Sequence, residues 1–148
     1  MQLKDFDFRL WHNLSECFVE IRGGFLTANG KDEIVFEKSL IVPIDDENAE
    51  IELWSGFYDS KGTKLYEGDI VKYDSKTAPL VVVFERNTFY IIDTSIEKDL
   101  QVDCGTRLQC IYERSNGYKD NTIECVEVIG NIHENADLLK KRKSAYQM

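Results

Sequence analysis

The stretch WSGFYDSKGTKLYEGDIVKYD, Trp54 to Asp74, decides how this chain is read. Gly56 stands near its start, Ser60-Lys61-Gly62 marks a tight turn, and Glu67-Gly68-Asp69 leads into Ile70-Val71-Lys72-Tyr73. Glycine supplies a positive φ that a Cβ opposes, so Gly62 and Gly68 are expected at turn positions. Asp69 is placed to cap a turn with its carboxylate before Ile70 and Val71 enter a core. Turn, short strand, turn, strand is the pattern of a small β corner, not of a helix.

Downstream, Leu80 to Phe84 and Phe89 to Ile92 are rich in β-formers and flank Arg86-Asn87-Thr88, which predicts a hairpin. Leu100 to Val102 and Leu108 to Tyr112 are expected as strands. Ile123 to Gly130 is expected as a strand buried on both faces, because its end is almost continuously apolar. Asn135 is a candidate N-cap for one short helix, with Asp137 in its first turn and Lys140 to Lys143 at its far end. His133 falls between that strand and that helix, with no partner in sequence for a catalytic role.

Upstream, Phe6, Phe8 and Leu10 alternate with polar residues, which is the period of a half-buried strand. Phe18 to Ile21 reads as a strand ending at Gly23-Gly24, with Phe25-Leu26-Thr27 continuing it past a bulge. Asn29-Gly30 is a strong turn signal. Ile34-Val35-Phe36 and Leu40-Ile41-Val42 are two further strands. The acidic run Asp45 to Glu52 is expected as a solvated loop or irregular edge. The aromatic residues Trp11, Trp54, Tyr66, Tyr73, Phe84, Phe89 and Tyr90 are spread over these strands and are assigned to the core.

The chain has 148 residues and a net charge of −9. Twelve acids against five bases lie in residues 1–53, so most of the excess is there. An acidic surface repels a phosphate backbone, which disfavours nucleic acid as a partner. No apolar run approaches the roughly 18 residues that span a bilayer. The N-terminus has no apolar signal region, which places the expected location in the cytoplasm of whatever cell makes the protein. Cys17, Cys104, Cys110 and Cys125 form no Cys-x-x-Cys pair and are expected as reduced, mostly buried thiols. His12 and His133 stand far from them, so neither a structural metal nor any other cofactor is expected. No nucleophile–base pair and no glycine-rich loop opening a helix is assembled, so no catalytic residue is expected and the chain is not read as an enzyme.

Three segments resemble one family. Ser55 to Tyr73 is similar to the Thr-Gly-Leu-x-Asp-x-x-Gly-x-x-Ile-Tyr-Glu-Gly-Asp-Ile-Val signature of YopX-like phage and prophage proteins. Val126 to Leu139, VEVIGNIHENADLL, is similar to that family's closing Val-Ile-Gly-Asn-Ile-Tyr-Glu-Asn-Pro-Glu-Leu-Leu. The opening FDFRLWHNLSECFVE resembles its Ile-Lys-Phe-Arg-Ala-Trp-Asp start. Ser55, Phe57, Leu65, His133 and Ala136 depart from the pattern, and those at 57, 65 and 136 keep apolar or small character.

The resemblance implies a mainly β fold: an SH3-like small barrel with an N-terminal β segment and a short C-terminal helix. The expected division is 1–52 for the β segment, packed on the core, and 53–148 for barrel plus helix. The motif residues are Gly56, Gly62, Glu67, Gly68, Asp69, Gly130, Asn131 and Asn135, expected as structural. The resemblance brings no reaction with it. It implies an accessory protein acting through an unknown protein partner or as a homo-oligomer. Two other readings stand beside it: a nucleic-acid-binding barrel using Lys64, Lys72, Lys76 and the C-terminal bases, and an acidic decoy of a host DNA-binding protein built on Asp45 to Glu52.

Overall fold

Side chains alternate across a strand, so Ile70 and Val71 must point to opposite faces of whatever sheet they join. Both are fully buried, which requires a sheet covered on both sides. The computed structural model describes residues 7–19, 26–28, 33–36, 40–43, 45–74, 78–115 and 120–140. It divides into Met1–Glu52 and Leu53–Met148.

In the first unit, β1 (Phe8–His12) and β2 (Cys17–Val19) form an antiparallel hairpin, with Trp11 opposite Phe18. Their rings meet edge-on at 5.0 Å. The strands β3 (Leu26–Ala28), β4 (Glu33–Phe36) and β5 (Leu40–Pro43) form a separate antiparallel sheet. Thus β3 does not continue β2 past a bulge. The Gly23-Gly24 and Asn29-Gly30 turns lie outside the described residues.

β6 (Ala49–Tyr58) begins within the acidic run, so that run is not simply a loop. Glu52 is buried at 6% exposure, and its Oε1 accepts from Arg9 Nε at 2.8 Å. Asp46 Oδ1 accepts from the Asn48 N–H, and its Oδ2 lies 3.2 Å from His12 Nε2.

In the second unit, β6 pairs with β7 (Lys64–Tyr66). The five-stranded antiparallel sheet runs β11 (Thr106–Arg107), β10 (Thr88–Ile92), β9 (Leu80–Glu85), β8 (Asp69–Tyr73), β12 (Val126–Asn131). Arg86 and Asn87, both at positive φ, close the β9–β10 hairpin, as a two-residue turn matched to strand twist requires.

Val71, Val82 and Ile91 pack on one face with Leu65, Leu108, Ile111, Ile123 and Val126. Ile70, Val81 and Ile92 pack on the other, where Leu138 and Leu139 of the final helical turn (137–140) lie against them. The described residues are mainly β, as a small-barrel fold requires.

Four local expectations are corrected. Residues 108–112 belong to helix α1 (Leu108–Arg114), because Leu108 and Ile111, three apart, lay one buried face on the sheet. Lys98–Leu100 is a single 3-10 turn followed by further turns, not a strand. Only Val126 of β12 is buried and the rest is half-exposed, since β12 lies at the end of the five-strand order. Cys17, Cys104 and Cys125 are exposed and Cys110 is half-buried; all four are free thiols, but none is in the core. Among the described residues no helix is long and apolar enough to cross a membrane. Lys76 and residues 141–148, with most of the basic run, lie outside the described residues.

Candidate functional site

A glutamate, a glycine and an aspartate in succession can serve chemistry or can serve the backbone, and their partners decide which. Glu67 N–H donates to the Leu53 carbonyl at 3.0 Å, while Glu67 Oε1 accepts from the Leu53 N–H at 2.9 Å. The two residues clamp β6 to the turn reciprocally. Gly68, at φ +88°, donates its N–H to the Val82 carbonyl at 2.8 Å. Asp69 is 2% exposed, and its Oδ2 accepts from the Tyr66 N–H at 2.9 Å. The carboxylate therefore caps the turn, and Ile70 and Val71 enter the core directly after it.

The second motif meets the first across the sheet. Asn131 pairs with Asp69 and Gly130 with Ile70 in the β12–β8 ladder, with a bulge between Val128 and Gly130. The Gly68 carbonyl accepts from the Ile132 N–H at 2.8 Å. Asn131 Oδ1 accepts from the N–H groups of His133 and Glu134 at 3.0 and 2.9 Å, folding the chain back on itself. Asn135 Oδ1 accepts from the Asn131 N–H at 3.1 Å. It is the Asn135 carbonyl that takes the Leu138 N–H, so the side chain locks the corner and does not cap the helix.

Gly56 and Gly62 sit apart from this corner. Gly56, at φ +87°, lies in the β6 bulge, where four steps along β6 answer two along β7. Trp54 Nε1 donates to the Phe57 carbonyl at 2.9 Å and Lys64 Nζ lies 4.7 Å above the Trp54 ring, which hold that bulge shut. Gly62, at φ +82°, closes the turn by donating its N–H to the Asp59 carbonyl.

Asp59 was not singled out by sequence reasoning, yet its carboxylate holds three backbone N–H groups. It is 1% exposed. Its Oδ1 accepts from the N–H groups of Lys61 and Thr63 at 2.9 and 2.8 Å, and its Oδ2 from the Val128 N–H at 2.9 Å. The signal was present in the Asp-x-x-Gly spacing, which is that of an aspartate bonding its own turn.

Beside this turn a shallow cleft of about 480 Å3 is lined by Lys72, Asp74, Glu124, Cys125 and Glu127, among others. Lys61 Nζ pairs with Glu127 Oε1 at 2.7 Å on its rim. Partial burial, then the carboxylates of Asp74 and Glu124, push the Cys125 thiol above its ordinary value. It stays protonated near neutral pH and is a poor nucleophile. Among the described residues no cluster of three or more His, Cys, Asp or Glu is arranged to hold a metal ion.

The chain matches no curated protein. In fold it is similar to the crystal structure of protein EF1440 from Enterococcus faecalis, with a TM-score of 0.57 and 20% identity over 90% of this chain and 97% of that one. The model of the YopX protein family matches residues 8–140, spanning both motifs and the opening strand. This chain belongs to the YopX protein family.

Proposed function

We propose that this chain is a non-catalytic accessory protein of a phage or prophage, working in the bacterial cytoplasm through protein contacts or self-assembly and carrying no cofactor. One observation carries the reading. Side-chain oxygens of the two motifs accept from backbone donors: Glu67 from Leu53, Asp69 from Tyr66, Asn131 from His133 and Glu134, Asn135 from Asn131. A motif spent on its own backbone maintains a scaffold, and the scaffold acts through what its surface meets. The protonated Cys125 and the carboxylates around its cleft add to this, since they suit neither nucleophilic attack nor phosphate binding. The decoy reading is weakened, because Asp46 and Glu52 of the acidic run are engaged with His12, Asn48 and Arg9.

The test is affinity capture with the tagged full chain from lysate of a lysogenic host, followed by light scattering of the reconstituted mixture. A stoichiometric protein complex, or a homo-oligomer above the 17.2 kDa of one chain, supports the proposal. A monomer that captures nothing, but shifts DNA or RNA in a gel with steep salt dependence, overturns it in favour of nucleic-acid binding.

A further inference from the structure

The outer edge of β12 is an edge of the five-stranded sheet, and an uncovered edge offers main-chain groups to any passing strand. Here it is covered from within the chain. The Val126 carbonyl accepts from the Ser60 N–H at 2.9 Å, the Val126 N–H donates to the Ile123 carbonyl at 3.3 Å, and the Val128 N–H donates to Asp59 Oδ2 at 2.9 Å. The same Asp59 carboxylate holds the Lys61 and Thr63 N–H groups through its other oxygen. Asp59, Ser60 and Ile123 thus stand where a neighbouring strand would pair, and one buried carboxylate ties that cover to the Asp59–Thr63 turn.

From this arrangement we infer that Asp59 is a latch: the turn at 59–63 and the β12 edge open and close as one local unit. Only a carboxylate satisfies both sides. It presents acceptors in both directions, whereas an asparagine has one acceptor and one donor group. In Asp59→Asn the oxygen keeps the turn, where it meets two N–H groups. The amide nitrogen is then left facing the Val128 N–H, donor against donor. The substitution removes the carboxylate's tie between the turn and the edge, leaving the Ser60–Val126 backbone bond, without altering side-chain size.

Native-state hydrogen exchange followed by NMR tests the latch without any variant. In low urea the amides of Thr63 and Val128 exchange together, through one opening smaller than the global unfolding that frees Val71 and Val82. Exchange of Val128 only with Val71 and Val82, or independently of Thr63, overturns the inference. In Asp59→Asn the Val128 amide exchanges roughly 10- to 100-fold faster, as expected for losing a hydrogen bond to a charged acceptor, while Thr63 stays protected. Equal protection of Val128 in variant and wild type overturns it as well.

Discussion

The side chain of Asn135 occupies the space that a Cβ on Gly130 would need. A methyl built on Gly130 stands 2.6 Å from Asn135 Oδ1 and 2.7 Å from its Cβ and Cγ. This is why a glycine and an asparagine five positions apart belong to one motif. The glycine leaves the room, and the asparagine uses it to reach the Asn131 N–H.

Gly130→Ala therefore displaces Asn135, and overpacking of this kind costs about 1–3 kcal/mol. Asn135→Ala alone loses one hydrogen bond, about 1 kcal/mol. The two losses are not additive: the double variant is less destabilised than their sum, because Asn135→Ala removes the Oδ1 and Cγ clashes and leaves only the Cβ contact at 2.7 Å. Urea denaturation of the four proteins measures the cycle, and strict additivity would refute the shared-space account.

Gly68 is held at φ +88° with its N–H and carbonyl both bonded, so the backbone is not free to relax. Gly68→Ala is expected to cost about 1–2 kcal/mol, and Gly68→Val more. The check is the shift of the urea midpoint at constant m-value.

Glu67→Gln keeps an acceptor for the Leu53 N–H and is expected to be mild. Glu67→Ala removes it and leaves a strand donor unpaired, at about 1–3 kcal/mol. Equal stability of both variants in thermal melts would show that Glu67 contributes through something other than this bond.

Asp59→Asn removes the acceptor that covers the Val128 N–H on the β12 edge, and a less covered edge pairs more readily. Light scattering across a concentration series is expected to show mass growth for Asp59→Asn beyond that of wild type. Identical curves would mean that the Ser60 and Ile123 contacts protect the edge without Asp59.

The Asp46 carboxyl sits below its ordinary value, chiefly because the Asn48 N–H bonds its charged form, with His12 a further contribution. A lowered folded-state value means the contact stabilises the fold fully above the unfolded value of about 3.9. The stabilisation is lost as pH falls through the lower folded value. The Asn48 amide chemical shift is expected to titrate below pH 4, with no inflection from Asp46 above it.

How much of this was legible beforehand follows from how local each interaction is. The β9–β10 hairpin, the Gly62 and Gly68 turns and the Asp69 cap each rest on residues a few positions apart, where steric rules act on the chain directly. Helix α1 was misread because LQCIYER carries apolar residues compatible with either period. Leu108 and Ile111 settle as a helix only where a sheet face is present to bury them.

The sequence by itself determined the mainly β character, the turn glycines and the family to which both motifs point. Only the tertiary structure decided what the motif carboxylates and amides are for. Asp59 and Val128 are 69 residues apart, and Gly68 meets Ile132 across the sheet. A buried donor must find an acceptor wherever the fold brings one, and which one it finds is a property of the assembled sheet, not of any stretch of chain.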